Sequence, residues 1–267
     1  WVQDQTLGSM PSIEPVTLLA YAAPLINNVK LGISVIVTPI RNPVMLAKSI
    51  ASLDQLVNGR LILGVGIGGG SREYSAFGIT SDHLVTRFEE GLELMKWLWS
   101  ENDVNFHGQF WQLEAANISP KPYQKPYPPI WFGARKEPAL ARAVRMGNGW
   151  MGAGSSTMTS FQKALKKVRY HLDQSNRSYS TFSIAKRLYV AVDNDKVSTT
   201  RRIQEWFGRY YGDPSLGPKV TVYGSIAECV ERLGELTEHN LDLILLNPIY
   251  NLSEQAEILA KDVIPQL

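Results

Sequence analysis

The chain has 267 residues, of which 44% are hydrophobic and one is a cysteine. This length and apolar content predict one large folded domain or two small ones and argue against intrinsic disorder. The net charge of +2 argues against an electrostatically driven nucleic-acid binder or a membrane-surface protein. The single Cys229 excludes an intramolecular disulfide and a cysteine-rich metal site, and no apolar run is long enough to predict a membrane span.

The sequence does not begin with methionine. The chain opens with Trp1 and its first methionine is Met10, so we expect the sequence to begin inside a longer chain. No signal-peptide pattern is present. We therefore expect a cytoplasmic protein.

The first hundred residues alternate between helical and strand patterns. Short β-branched apolar runs predict buried strands, and apolar residues at a spacing of three to four predict helices. Asn42 followed by Pro43 predicts a helix start, and Asn58-Gly59 predicts its left-handed stop. The predicted elements are a helix over 12–27, a strand over 30–37, a helix from Pro43, a strand over 60–66 and an amphipathic helix over 82–100.

The rest of the chain resumes this alternation after an irregular segment. Residues 104–106 and 109–111 flank His107-Gly108 as the arms of a hairpin, and a proline-rich connector follows. Beyond the connector we predict strands over 130–132, 149–151, 182–192 and 241–246, and helices over 138–146, 159–172, 199–211 and 225–239 and from Ser253.

Counting Trp1–Asp4, the patterns give seven strands and at least seven helices. Alternating strands and helices predict a parallel sheet covered by helices. The count predicts a (β/α)₈ TIM barrel with insertion segments whose first β/α unit is missing from this sequence. An open doubly wound sheet is the competing architecture.

A glycine-rich loop follows the strand at 60–66. Gly64-x-Gly66-x-x-Gly69 matches the dinucleotide fingerprint. However, a strand and a helix precede it, and Glu89 and Glu90 lie within a helix instead of closing the next strand. Three readings stay open: a dinucleotide site, a flexible turn without a ligand, or a close backbone approach to a flat or anionic group.

Several short motifs follow one another along the chain: Asn42-Pro43-Val44-Met45-Leu46-Ala47-Lys48, Leu53-Asp54-Gln55-Leu56, Gly59 to Gly66, Glu73-Tyr74-x-x-Phe77-Gly78, Phe88-x-Glu90-x-Leu92, Phe106-x-Gly108-x-Phe110, Pro128-Pro129-Ile130, Gly147-Asn148-Gly149-Trp150 and Tyr223-Gly224-Ser225. Taken in this order, they resemble the bacterial luciferase-like oxidoreductases, which include flavin-dependent monooxygenases and relatives that use coenzyme F420. The resemblance covers nearly the whole chain. It implies one luciferase-like barrel domain over 1–267, with an insertion at 101–128.

The resemblance implies that the flavin or deazaflavin ring binds at the C-terminal mouth of the barrel. Asp4-Gln5 takes the place of an Asp-His pair common among F420 users, and these two residues are the catalytic candidates. Gln5 departs from the pattern, because a neutral amide cannot act as an acid or base. Ser34-Val35 matches the place of a bulged non-prolyl cis peptide. The cofactor-binding residues implied are Asp4, Ser34, Val35, Gly66, Ile67, Gly68, Arg72, Phe132, Gly133, Ala134, Gly152, Ala153, Gly154 and Ser155.

Three functions follow as alternatives. The first is a monooxygenase that oxidises a small organic substrate with O₂ and with reduced FMN from a separate reductase. The second is hydride transfer to or from coenzyme F420 without oxygen, and the third is a barrel that binds a ligand without turnover. We expect a homo-oligomer, with no nucleic-acid or membrane partner. Because no histidine pair has metal-ligand spacing, we expect no metal.

Residues 101–128 and 193–222 lie outside the regular alternation. The second segment carries Trp206, Phe207, Tyr210 and Tyr211 ahead of a Gly212-Asp213-Pro214 turn signal. An aromatic helix of this kind could close over a cleft as a lid. A packed surface helix or an oligomer contact is the alternative.

Overall fold

The computed structural model describes residues 1–8, 11–69 and 74–267. The chain divides into two compact units, residues 1–133 and 134–267. That these units form the single domain expected from the sequence stays a prediction. No helix among the described residues is both long enough and apolar enough to cross a lipid bilayer.

The first unit alternates helices and strands as the sequence predicts. Its elements are α1 (Pro15–Ala22), β1 (Leu31–Val37), α2 (Pro43–Leu56), β2 (Leu61–Gly66), α3 (Leu84–Ser100), β3 (Val104–His107), β4 (Gln112–Ala116) and β5 (Ile130–Gly133). Strand β2 lies between β1 and β5 and pairs with both in parallel. Val2 adds a parallel bridge to Ile33 at the other edge of β1.

Local sequence signals set the ends of these elements. The Asn42 side chain accepts hydrogen bonds from the amides of Val44 and Met45 at the start of α2. Asn58 and Gly59 both adopt positive φ after the helix, as predicted. The apolar stripe of α3 is buried, and the indole of Trp99 donates to the Ala47 carbonyl of α2 over 2.9 Å.

The hairpin of residues 101–128 is present, but its second arm differs from the prediction. Strand β4 begins at Gln112, so residues 109–111 form the turn instead of a strand. The Glu90 carboxylate of α3 accepts hydrogen bonds from the amides of Gln109, Phe110 and Trp111 over 2.8–3.0 Å. The apolar aromatic pattern that predicted a strand therefore belongs to a turn held by α3.

The structure describes every residue of the second unit, which contains four strands and six α-helices. They are α4 (Glu137–Met146), β6 (Gly149–Gly152), α5 (Met158–Gln174), β7 (Ser183–Val192), α6 (Lys196–Tyr211), α7 (Gly217–Val220), β8 (Thr221–Gly224), α8 (Ile226–Thr237), β9 (Leu243–Pro248) and α9 (Leu252–Ile258). Strand β8 was not predicted, because four residues directly before a helix start give too short a periodic signal.

Strand β7 organises the sheet of the second unit. It pairs in parallel with β6 over Ser183–Lys186, with β8 over Tyr189–Val192 and with β9 over Ala185–Val190. Because β9 overlaps both partners in register, β6 and β8 share one edge of β7 and β9 takes the other. One face of β7 packs Ile184 against α5 and Leu188 against α8, and the other packs Tyr189 against α6.

Candidate active site

Asp4 ties the N-terminal segment to the C-terminal end of β1. Its carboxylate is buried, and Oδ2 accepts from the Val37 amide over 2.9 Å while Oδ1 accepts from Arg41 Nη2 over 3.0 Å. Arg41 Nη1 reaches Glu14 Oε1 at 3.4 Å. Both oxygens of this catalytic candidate thus accept hydrogen bonds from the protein.

Three polar atoms of Arg41 and of residues next to Asp4 and Val37 in sequence are buried and have no hydrogen-bond partner among the described residues. They are Oε1 of Gln5, Oγ1 of Thr38 and Nε of Arg41. Gln5 and Thr38 follow directly on Asp4 and Val37, whose hydrogen bond joins the two chain segments. A buried polar group without a partner costs about 1–3 kcal/mol, so unpaired groups of this kind favour a ligand that supplies partners.

The Ser34-Val35 peptide is cis, as the resemblance implies. The pairing of β1 with β2 shifts here, so that Ser34 and Val35 together lie opposite Gly64. A β-carbon at Gly66 would lie 2.7 Å from Val35 Cγ2, and one at Gly133 would lie 3.0 Å from Val35 Cγ1. The side chain of Val35 therefore fills the space that these two glycines leave.

The other first-unit candidates lie at the same strand ends. Ile67 and Gly68 follow β2, with Ile67 half-buried and Gly68 exposed. The ring of Phe132 is buried and meets the Phe88 ring of α3 edge-on at 5.6 Å, which leaves only its backbone for a ligand. Arg72 lies outside the described residues. The dinucleotide reading is not supported, because Gly69 itself is not helical and the first α-helix after it among the described residues begins at Leu84.

Three of the second-unit candidates, Ala153, Gly154 and Ser155, lie in a turn between β6 and α5. In this β6–α5 turn (residues 153–156) the Ser156 amide donates to the Ala153 carbonyl over 3.1 Å, and Ser155 Oγ accepts from the Arg135 guanidinium. Gly154 passes against Tyr189, since a β-carbon there would lie 2.8 Å from the phenol ring. The candidates Ala134, Gly152, Ala153, Gly154 and Ser155 all belong to this unit.

Lys186 lies beneath the β6–α5 turn and was not found by sequence reasoning. Its side chain is fully buried, and Nζ donates to Ala153 O over 2.6 Å, to Ser156 Oγ over 3.0 Å and to Ser156 O over 3.2 Å. Burial lowers the pKa of the Lys186 ammonium to about 7, and the positive charges of Arg135 and Arg187 add to this shift.

A second polar group lies on the opposite face of β7. Arg187 donates from Nε and Nη2 to Asn247 Oδ1 and lies over the Tyr189 ring at 5.2 Å. The Tyr189 and Tyr211 hydroxyl oxygens are 2.6 Å apart. Burial raises the pKa of Tyr189, so this phenol keeps its proton across the working pH range.

A sequence signal for these residues was available. Lys186 and Arg187 are adjacent charges inside an otherwise apolar strand, and buried charges are rare unless they are paired or functional. No such sequence signal marks Thr38 and Arg41, since a polar residue after a strand is typical of any loop.

Two further features, the histidines and an open pocket, contribute no candidate residue to this region. No group of histidine, cysteine and carboxylate side chains among the described residues has the arrangement of a metal site. An open pocket of about 760 Å³ is lined by Arg145, His171 and Arg177, among others. It lies before β7, at the end of the strand opposite to Tyr189, so we do not assign the chemistry to it.

The sequence model of the luciferase-like monooxygenases matches residues 1–241, and the chain belongs to this family. It is 30% identical over 193 residues to an F420-dependent glucose-6-phosphate dehydrogenase of Kineococcus radiotolerans, covering 70% of this chain and 56% of that one. It is 35% identical over 123 residues to the oxygenase component of a flavin-dependent trigonelline monooxygenase of Acinetobacter baylyi, covering 45% of this chain and 34% of the relative. The match thus spans less than two thirds of either relative.

Solved structures show the same fold. An F420-dependent secondary alcohol dehydrogenase in complex with an F420–acetone adduct superposes with a TM-score of 0.84 at 18% identity, covering 96% of this chain and 84% of that one. The predicted fold class, an α/β fold of the luciferase-like TIM-barrel type, is confirmed.

Proposed function

We propose that the protein is a flavin-dependent monooxygenase that oxidises a small organic substrate with O₂ and reduced FMN. The observation that carries the proposal is the set of three unpartnered polar atoms of Gln5, Thr38 and Arg41 at the end of β1. The pyrimidinedione edge of a flavin offers one N–H donor and two carbonyl acceptors. An amide oxygen, a hydroxyl and a guanidinium N–H complement this set of groups.

The residues of this chain would bind and orient the cofactor, which supplies the redox chemistry when bound. Asp4 and Arg41 hold the segment that carries Gln5 against β1, so that the three unpaired polar atoms keep their places. The β6–α5 turn offers backbone amides and the Ser155 hydroxyl, in keeping with the role that the resemblance implies for it.

Monooxygenation is favoured over hydride transfer by the same residues. Dehydrogenation of an alcohol needs a group that takes the hydroxyl proton. At the place of the Asp-His pair, the Asp4 carboxylate is already bound by Arg41 and Val37, and Gln5 does not titrate. A reaction in which the cofactor and O₂ supply the oxidation places a smaller demand on these two side chains.

Hydride transfer to or from F420 is the second candidate. It is favoured by the F420-dependent relative, whose match covers 70% of the chain against 45% for the monooxygenase. F420 shares the pyrimidinedione edge, so the same three polar atoms would serve it. We further propose that reduced cofactor comes from a separate reductase and that the protein works in the cytoplasm as a homo-oligomer.

Binding of FMN and F420, each added alone, tests the proposal. Thr38→Val removes the unpaired hydroxyl with little change of shape, and we expect the cofactor dissociation constant to rise about fivefold or more. Thr221→Val is the matched control, because Thr221 also has a buried hydroxyl without a partner but lies on β8 of the second unit. Neither variant should lower the melting temperature, since neither hydroxyl has a hydrogen-bond partner among the described residues and its removal relieves the cost of an unpaired group.

The outcomes separate the alternatives. FMN binding with substrate-dependent O₂ uptake supports the monooxygenase, whereas F420 binding with anaerobic hydride transfer supports the second candidate. Binding without turnover of any substrate would leave a ligand-binding barrel. If Thr38→Val and Thr221→Val bind both cofactors as tightly as the wild type, the site is not at the end of β1.

A further inference from the structure

We propose that Lys186 is a positioning residue whose ammonium group fixes the β6–α5 turn, and that loss of one of its protons loosens this turn. The part of the proposal that concerns the cofactor rests on the proposed function, because it assumes that the turn contacts the cofactor. The part that concerns the turn itself stands on the geometry of the unliganded protein.

The three acceptors around Nζ match an ammonium group in number. Nζ lies within 3.2 Å of Ala153 O, Ser156 O and Ser156 Oγ, and an ammonium group has three hydrogens to donate. These acceptors belong to the first and last residues of the turn, so Lys186 closes the turn from below. Ser156 adds its own amide and hydroxyl donors to Ala153 O.

A neutral amine cannot keep all of these bonds. It has two hydrogens for three oxygens, so the contact with Ser156 Oγ survives only if this hydroxyl turns to donate to the amine and gives up its bond to Ala153 O. In either arrangement the turn has one hydrogen bond fewer, and we expect it to loosen.

The surroundings of Lys186 make this proton easy to lose. The charged groups that face it are Arg135, beyond β5, and Arg187, the next residue on β7, and both repel the ammonium. The turn contributes carbonyl and hydroxyl oxygens, and α5 contributes the Phe161 ring at 5.4 Å from Nζ. No carboxylate among the described residues forms an ion pair with Lys186. Its pKa of about 7 therefore puts the change within the physiological range.

The sign of the pH effect differs between the turn and the whole fold. The folded pKa of about 7 lies below the ordinary value of 10.5. Between these values the unfolded chain binds more protons, so this group makes the fold more stable as pH rises. The turn should loosen over the same range, because it loses a donor. Global stability and protection of the turn should thus move in opposite directions.

Hydrogen exchange of the unliganded protein tests the turn. In Lys186→Met we expect amides of residues 153–158 to exchange about fivefold faster than in the wild type at pH 6. Lys163→Met is the matched control, because it makes the same change on the exposed face of α5. In the wild type, protection of these amides, corrected for intrinsic exchange, should fall with a midpoint near pH 7. In Lys186→Met it should not change with pH. Melting curves at each pH verify that both variants are folded.

Equal protection of the turn in Lys186→Met and Lys163→Met would overturn the proposal. So would wild-type protection that stays constant from pH 6 to pH 8.5. FMN affinity provides the second measurement: it should fall with the same midpoint in the wild type and be independent of pH in Lys186→Met. If FMN does not bind at all, the proposed function fails, but the exchange result still decides whether Lys186 holds the turn.

Discussion

Val35 explains why two positions of the first unit are occupied by glycine. Its two methyl groups occupy the positions next to Gly66 and Gly133, and a third glycine, Gly64, lies opposite the bulge. The glycine pattern indicated a close approach of something to the backbone. The approaching group at Gly66 and Gly133 is a valine side chain of β1, which a single sequence cannot reveal because the two strands meet only in the fold.

Substitution of Gly66 by alanine tests this packing. The new methyl group would lie 2.7 Å from Val35 Cγ2, so we expect Gly66→Ala to lower the free energy of unfolding by about 1–3 kcal/mol. Val35→Ala removes both methyl groups and should restore room for it. A double-mutant cycle by chemical denaturation measures the coupling. Additive losses would mean that Val35 is not what excludes a side chain at Gly66.

The candidate site was only partly accessible to sequence reasoning. The resemblance gave the strand-end positions, and the cis peptide at Ser34-Val35 is present as it implied. The engagement of Asp4 by Arg41 could not be foreseen, because 37 positions separate the two residues and neither belongs to a periodic pattern. Lys186 was visible as a charge in a buried strand, yet its partners in the β6–α5 turn follow only from the fold.

At the scale of elements, local chemistry explains most boundaries. Asn42 caps α2, and Ser225 and Glu228 form a reciprocal capping box at α8. Errors arose where tertiary contacts override local pattern, as in the 109–111 turn bound by Glu90. Helix α6 of the proposed lid buries Ile203 and Phe207 against the Tyr189 face of β7. Whether segments 101–128 and 193–222 move to admit substrate stays a prediction.

The contacts that hold the proline-rich connector after β4 can be tested directly. The fully buried Asp54 carboxylate of α2 accepts from the backbone amide and the side-chain amide of Gln124, both over 2.8 Å. Asp54→Asn places an N–H against one of these donors, so we expect a loss of about 2 kcal/mol and faster hydrogen exchange around Gln124. Asp103→Asn, an exposed change in the same segment, is the control. Unchanged exchange in Asp54→Asn would mean that the connector is held by other contacts.

At the scale of the whole molecule, the number and alternation of strands and helices predicted the fold class. Parallel strands alternate with helices in both units, and the family assignment agrees with the fold of the solved relatives. The sequence predicted the apolar faces that form these layers, since burial repeats with the period of each element. It could not predict that β6 and β8 share one edge of β7, because register is set by contacts distant in sequence.

The lone cysteine reports on opening of the second unit. Cys229 is fully buried in the core of Leu188, Val190 and Leu233, and burial raises the pKa of its thiol to about 11. We expect a thiol reagent at pH 8 to label it only when α8 detaches, with a rate that follows global unfolding. Denatured protein provides the reference rate. Rapid labelling under native conditions would show that this core opens locally.

The position of β7 has a consequence for the order in which the chain is made. Each strand pairing within the second unit includes β7, and its partners precede it by about thirty residues or follow it by as many as sixty. During translation, a ribosome that has released β6 but not β7 exposes a chain in which none of these ladders can form. The last ladder waits for Pro248 of β9 to leave the exit tunnel. The sheet of the second unit is therefore completed only after its last strand has been made.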